Sequence, residues 1–156
     1  MDAFGIRVEV PDGWDARIWR QPDREPTLHA ASYRLPLRDG DFGSAATHAL
    51  PPGGVFLVIT EYGVGGGLAP ARGLFAPTGV PHAITPHDFN PRVLHQHRPD
   101  QVGLQRFFTE ESRPFCFYAV IRSRYGHAGR VAPSAVAALR RVAESVRIAP
   151  RPVTGW

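Results

Sequence analysis

The fold class is decided by the stretch Arg113-Pro-Phe-Cys-Phe-Tyr-Ala-Val-Ile-Arg-Ser123, which is apolar at successive positions rather than at alternate ones. Such a run is typical of a β-strand that is buried on both faces. A second stretch, Val55-Phe-Leu-Val-Ile-Thr-Glu-Tyr62, has the same pattern. The sequence therefore predicts a sheet whose central strands are covered on both sides.

One cover is an amphipathic helix predicted from about Pro133 to Arg147. Its apolar residues recur at the i, i+3, i+7 and i+10 spacing of one helical face; they are Val136, Leu139, Ala143 and Val146. The other face has three candidate covers. These are a short helix over residues 41–50, which Pro51-Pro52 would end, the Pro-rich segment 63–100, and another subunit.

Shorter patterns complete the expected sheet. Residues 4–20 predict a β-hairpin that turns at Pro11-Asp12-Gly13. A third strand is expected over 27–35, a short strand over 93–97, and a second hairpin over 101–123. The expected fold is α/β of the α+β kind: a twisted antiparallel sheet of about six to seven strands, with the C-terminal helix packed on one face and a short helix or loops on the other. We expect one domain over residues 1–150 and a tail over 151–156.

Length and composition limit the class of protein. A chain of 156 residues with 43% hydrophobic content is long and apolar enough for one globular domain. No apolar run approaches the roughly 18 residues of a membrane span, and the N-terminus resembles a strand rather than a signal peptide. We therefore expect a cytoplasmic protein without a membrane partner. The single cysteine, Cys116, excludes an intramolecular disulfide and is expected to be a buried thiol.

The charges are unevenly distributed. All eighteen basic residues are arginine, which indicates a GC-rich bacterial genome and excludes lysine-based catalysis. Residues 1–111 carry ten Arg against thirteen Asp and Glu, a net charge of −3, whereas residues 112–156 carry eight Arg against one Glu, a net charge of +7. This excess favours an acidic partner steered by Arg140 and Arg141, although a merely solvated face has the same composition. The basic–aromatic alternation of nucleic-acid binding is absent from the predicted helix.

Four histidines suggest a different kind of site. His82, His87, His95 and His97 lie within sixteen residues, with Asp88 beside them. Histidine is the commonest metal ligand, and a His-x-His pair on a strand would place both rings on one face. No second tight pair, partner cysteine or H-E-x-x-H helix accompanies them. A metal or small-ligand site on these four residues is therefore the alternative hypothesis.

Catalytic motifs are missing from the sequence. The loop Gly63-Val-Gly-Gly-Gly67 lacks the G-x-G-x-x-G spacing of a dinucleotide site, and Gly43-Ser44 lacks a G-x-S-x-G elbow. Glu110 and Glu111 are adjacent in a hairpin, so their side chains point to opposite faces. We expect neither an enzyme nor a cofactor.

Two tryptophans of the first predicted hairpin have different expected roles. Trp14 is expected to pack in the core. Trp19 alternates with Ile18, so it either closes the sheet edge or is exposed, and an exposed tryptophan would favour a partner-binding surface.

Three short motifs resemble the PsbP-like fold superfamily. They are Pro11-Asp-Gly-Trp14 after the opening strand, Arg113-Pro-Phe115 at the start of a central strand, and Glu144-Ser-Val-Arg-Ile148 at the end of the last helix. The superfamily includes the extrinsic photosystem II protein, a Ran-binding nuclear transport factor and type VI secretion effector chaperones, and many actinobacterial proteins share the pattern. The resemblance implies an antiparallel sheet sandwiched by helices and a protein-holding role, and it carries over no functional residue.

These observations together favour a non-enzymatic protein-binding module: an adaptor, a chaperone-like protein or an assembly subunit. Its contact surface is expected on the second sheet face and the 63–100 segment, with Arg140, Arg141 and Trp19 as partner-binding residues. Self-association into a homo-oligomer stays open.

Overall fold

The computed structural model describes residues 1–65, 68–124 and 131–152. Its regular elements, in chain order, are β1 Asp2–Ala3, β2 Ile6–Arg7, β3 Asp15–Trp19, β4 Thr27–Ala31, α1 Ser44–His48, β5 Val55–Glu61, β6 Gln101–Glu110, β7 Arg113–Arg122, α2 Pro133–Ser145 and β8 Arg147–Ile148. Two short 3-10 helices, Pro86–Asp88 and Pro91–Val93, lie between β5 and β6.

The strands form two antiparallel sheets. The larger sheet has the order β3-β4-β5-β7-β6, and the smaller has the order β1-β2-β8. The two double-sided apolar runs are β5 and β7, which lie side by side in the middle of the larger sheet. The predicted α+β class with an antiparallel sheet is therefore confirmed.

The first face of the larger sheet is covered by α2. Pro133 occupies the first turn of this helix, where its missing N–H costs no hydrogen bond. The predicted apolar stripe is buried against the sheet; its members are Val136, Leu139, Ala143 and Val146. Trp14 also packs against this core, as the sequence predicts.

The second face is covered by α1 and its flanking loops. This core contains Phe56 and Val58 of β5 together with Cys116 and Tyr118 of β7. Gly43, the residue before α1, has a φ of 70°, and a Cβ there would lie 2.2 Å from the Phe56 ring. Only glycine therefore allows the start of this helix to approach the sheet so closely.

The expected hairpin over residues 4–20 is wrong. β2 pairs with β8 near the other end of the described chain, whereas β3 pairs with β4. The Pro11-Asp12-Gly13 turn thus carries the chain from one sheet to the other. Alternation of apolar and polar residues indicates that a segment is a β-strand, but it does not indicate which other strand pairs with it.

The 63–100 segment runs along the outer edge of the larger sheet. The predicted strand over 93–97 is wrong, because Pro91–Val93 is a 3-10 helix and the chain continues without regular structure. The predicted hairpin over 101–123 is confirmed as β6 and β7. Within the described ranges, no helix is long and apolar enough to cross a membrane.

Candidate partner-binding groove

The edge strand β6 is partly covered by the chain's own 63–100 segment. Near the start of β6, Gly103 and Asn90 exchange two backbone hydrogen bonds, with N–O distances of 2.8 and 3.2 Å. Near its end, the Thr109 N–H donates to the Ala76 carbonyl over 2.8 Å, and the Gly79 N–H donates to the Thr109 carbonyl over 3.2 Å. The backbone of the segment is therefore hydrogen-bonded to the edge near both ends of β6, and between these points it bows away from the backbone of the strand.

A groove of about 530 Å³ opens between those two points. One wall is the segment around Leu74 and 78–83, and the other is the middle of β6, residues Gln105, Arg106 and Phe107. The Leu74 side chain is 60% exposed on the rim. The Phe107 ring is half-buried and packs edge-on against Phe75, with 5.6 Å between ring centroids. The groove thus places the apolar side chains of Leu74 and Phe107 next to an exposed strand edge.

Arg106, the arginine that lines the groove, is paired. Arg106 Nη2 lies 3.2 Å from Asp88 Oδ2, and Arg106 Nη1 donates to the Ala83 carbonyl over 3.2 Å. A hydrogen bond from the Thr85 backbone N–H, assisted by Arg106, lowers the pKa of Asp88 below its usual value. Arg106 therefore holds the 83–88 stretch against β6.

A second groove, of about 510 Å³, lies on the other side of residues 78–82. Its walls include Glu110 of β6 and Glu144 and Arg147 at the end of α2 and in β8. The Val80 N–H donates to Glu110 Oε2 over 2.9 Å, which fixes this stretch to the sheet. Residues 78–82 therefore form a ridge with an open groove on each side.

The two arginines expected to bind a partner lie on α2. Both Arg140 and Arg141 are exposed. Arg140 Nη1 also reaches the Ile84 carbonyl at 3.5 Å, so this side chain lies beside the 63–100 segment. Arg140 is therefore next to the ridge, whereas Arg141 does not line either groove.

Trp19 lies away from the grooves, at the end of the opposite edge strand β3. It is half-buried, and its ring packs edge-on against His29 with a centroid distance of 4.5 Å. Of the two expected positions, it takes the one that closes the sheet edge. The structure does not bring Trp19 together with Arg140 and Arg141 in one surface.

The four histidines of the metal hypothesis lie apart. His82 borders both grooves, and its Nδ1 hydrogen-bonds with the Val80 carbonyl at 2.9 Å. His95 is stacked on Phe42, and its Nε2 lies 2.9 Å from Gln105 Oε1. His87 and His97 are exposed. Among the residues that the structure describes, no group of three or more His, Cys, Asp or Glu is placed to hold a metal ion. A site on these histidines stays a prediction.

The cysteine and the cavity beside His95 also bear on ligand binding. Burial raises the pKa of the Cys116 thiol to about 12, so the thiol is protonated at neutral pH and is a poor nucleophile. The cavity that His95 lines with Phe42 and Tyr118 has a volume of about 220 Å³. This volume is smaller than the roughly 300–1,000 Å³ of ordinary small-molecule sites.

A buried ion pair was not expected from the sequence. The Glu61 carboxylate is fully buried and accepts hydrogen bonds from Arg113 Nε at 3.1 Å and Nη2 at 2.7 Å. Arg151 adds two more hydrogen bonds to Glu61 Oε1, from Nε at 3.1 Å and from Nη2 at 2.6 Å. Arg113 also donates to three carbonyl oxygens, those of Phe4, Gly5 and Ala149. The chain is thus anchored as far as Arg151, inside the stretch expected to be a tail, whose residues 153–156 lie outside the described part.

His29 is a second buried polar group that the sequence did not single out. Its ring is 2% exposed, and Nε2 lies 2.7 Å from the Asp41 carbonyl oxygen. Because a carbonyl can only accept, Nε2 carries the proton and donates. Burial lowers the pKa of His29 to about 4. The position of His29 between the apolar residues Leu28 and Ala30 was the only available signal.

Comparison of the chain with protein-family models, with curated proteins and with solved structures returns no match. The likeness to the PsbP-like fold superfamily therefore stays a prediction.

Proposed function

We propose that this chain is a non-enzymatic protein-binding module, acting in the cytoplasm as an adaptor, a chaperone-like protein or an assembly subunit. The observation that carries the proposal is the groove beside β6, where the exposed Leu74 side chain faces an uncovered part of a sheet edge. Exposed apolar side chains next to an open edge are typical of surfaces that bind other proteins. The resemblance to the PsbP-like superfamily supports the same role.

The positive charge of the C-terminal third supports an acidic partner. Arg140 and Arg141 are exposed on α2, and Arg140 lies beside the ridge that separates the two grooves. Exposed charges of this kind raise the rate of association more than the final affinity. The arginines of α2 would therefore guide the partner, while Leu74 and β6 would hold it.

The test is an affinity pull-down from the native host, read by mass spectrometry, with the chain and its variants as baits. The wild-type chain should recover one dominant partner at near-equal stoichiometry. Leu74→Asp should lose that partner, because it places a charge on the apolar rim. Leu37→Asp is the matched control, because Leu37 is 84% exposed and does not line the groove.

The steering role is tested on the same partner. The double variant Arg140→Glu/Arg141→Glu should slow association, and the effect should shrink at high salt. Arg34→Glu/Arg38→Glu makes the same charge change at two exposed positions after β4. Equal association rates for the two double variants would refute steering. Recovery of the bait alone, or equal recovery with Leu74→Asp and Leu37→Asp, would contradict the protein-binding proposal.

A further inference from the structure

The backbone of Gln105 points away from the sheet. In β7, the even-numbered residues Pro114 and Arg122 direct their backbone groups toward the β5 side, where they bond with Tyr62, Gly53 and Gly54. Tyr118 has the same parity and is paired in register with Gln105. Since backbone direction alternates along a strand, Gln105 and Tyr118 form a pair without hydrogen bonds, and both backbone groups of Gln105 face outward.

The neighbouring outward positions confirm this alternation. Gly103 and Thr109 also face outward, and both are bonded to the chain's own 63–100 segment, at Asn90 and Ala76. Between these two positions, the backbone N–H and C=O of Gln105 form no hydrogen bond with the described residues outside the sheet. The edge is therefore closed at its two ends and open in the middle, and the opening faces the groove of about 530 Å³.

We propose that this opening binds an extended segment of a partner protein, which adds to the sheet as a short strand beside Gln105. The proposal rests on the protein-binding function given above and specifies its mode. A peptide in extended conformation offers alternating backbone donors and acceptors, which are the groups that an outward N–H and C=O require. A purely apolar surface would leave them unpaired, and unpaired buried backbone groups are costly.

The side chains of the groove indicate what the segment carries. Phe107 and Gln105 share one face of β6, and Leu74 lies across the groove from them. Side chains of an added strand alternate between faces, so every second residue meets Phe107 and Leu74. The partner segment should therefore carry an apolar side chain at that position.

The occupant is a peptide of another protein rather than a second copy of this chain. Five residues of β6, 104–108, lie between the two bonded positions Gly103 and Thr109, a length of roughly 17 Å at about 3.4 Å per residue. Two copies that paired through β6 would bring their Asn90 and Ala76 flanks into the same space, because these flanks already occupy both ends of each edge. A single extended peptide fits within the groove without displacing them.

The probe is a displayed library of random linear peptides, selected on the full chain. Binding of a selected peptide to the isotope-labelled wild-type chain is then followed by amide hydrogen exchange. The Gln105 amide should exchange rapidly in the free chain and at least about tenfold more slowly in the complex, since it gains a backbone hydrogen bond.

The matched pair of variants is Gln105→Pro and Gln105→Ala. Both lose the amide side chain and its contact with His95, but only proline removes the N–H. Proline is tolerated on an edge strand where the N–H faces outward, and circular dichroism verifies that both variants fold. Gln105→Pro should bind the selected peptide about tenfold more weakly than Gln105→Ala, which is the loss expected for one backbone hydrogen bond.

The outcomes separate the binding mode from the function. Protection at Gln105 together with the proline effect supports strand addition. Selected peptides that bind but protect other amides would overturn strand addition and leave the protein-binding function standing. The same conclusion would follow if no peptide could be selected while the pull-down still recovered a Leu74-dependent partner. Protection of Gln105 that grows with the concentration of the chain alone overturns it in favour of a second copy. Should Gln105→Pro fail to fold, the exchange measurement on the wild-type chain decides alone.

Discussion

Replacing Glu61 by glutamine should destabilise the fold more than any comparable change of an exposed charge. The Glu61 carboxylate is fully buried and Arg113 is 3% exposed, so neither can be solvated by water in its place. In Glu61→Gln, one of the two oxygens that accept from Arg113 becomes an NH₂ group that can only donate. Breaking a buried pair while leaving its partner charged typically costs about 3–5 kcal/mol.

The remaining contacts of Arg113 moderate this loss without removing it. Its guanidinium keeps three carbonyl acceptors, at Phe4, Gly5 and Ala149, so its N–H groups are not all orphaned. Its charge, however, would have lost its buried counterion. We therefore expect a decrease of about 3 kcal/mol in the free energy of unfolding, at the lower end of that range.

Urea unfolding followed by tryptophan fluorescence measures this quantity. With a slope of about 2 kcal/mol per molar urea, a loss of about 3 kcal/mol lowers the midpoint by about 1.5 M. The matched variant is Arg151→Ala, which removes the contact that is 48% exposed and leaves the Glu61–Arg113 pair in place. It should cost about 1 kcal/mol or less. Equal midpoints for the two variants would refute the reasoning.

Two further predictions concern pH and a backbone constraint. Because the pKa of His29 is about 4 in the folded chain and about 6.5 when unfolded, its contribution to stability is present above pH 6.5 and is lost as the pH falls toward 4. The loss of stability should reach about 3 kcal/mol. Thermal unfolding measured from pH 7 to pH 4 tests this value. A His29→Gln variant with the same dependence of stability on pH as the wild-type chain would contradict the prediction. Gly5→Ala should lower the unfolding temperature measurably, since Gly5 has a φ of +74° and a Cβ there would lie 2.7 Å from Arg113 Nη1. Gly13→Ala is the control, because Gly13 has a φ of +81° but no atom lies within 4 Å of the added Cβ. Comparing the two variants separates the backbone strain from the steric contact.

The parts of the fold that depend on local pattern were predictable. Successive apolar residues in 55–59 and 115–121 placed β5 and β7 in the centre of the sheet, because a strand buried on both faces shows no alternation. The apolar stripe through Val136 and Leu139 identified the buried face of α2, because the side chains that pack against the sheet are apolar. Both signals come from burial, which selects apolar side chains position by position.

Long-range pairing was not predictable from the same patterns. Ile6 is apolar whether β2 pairs with β3 or with β8, so the hairpin expected over 4–20 and the observed small sheet share one sequence signature. The groove has a similar origin, since it depends on where Asn90 and Ala76 touch β6. Glu61 carried only a weak signal, because a charged residue at the end of a strand is commonly solvated and the sequence does not identify Arg113 as its partner.

The small sheet has a consequence for the order of events during synthesis. β1 and β2 are synthesised before the other described elements, but β8, which pairs with β2, and the Ala149 carbonyl bound by Arg113 are among the last described residues to be made. A nascent chain can form β3, β4 and β5 while Ile6 still lacks the strand that pairs with it. The small sheet can therefore form only after residues 147–149 have been synthesised. A ribosome that stalls before these residues leaves a chain in which β2 is unpaired and sensitive to proteases.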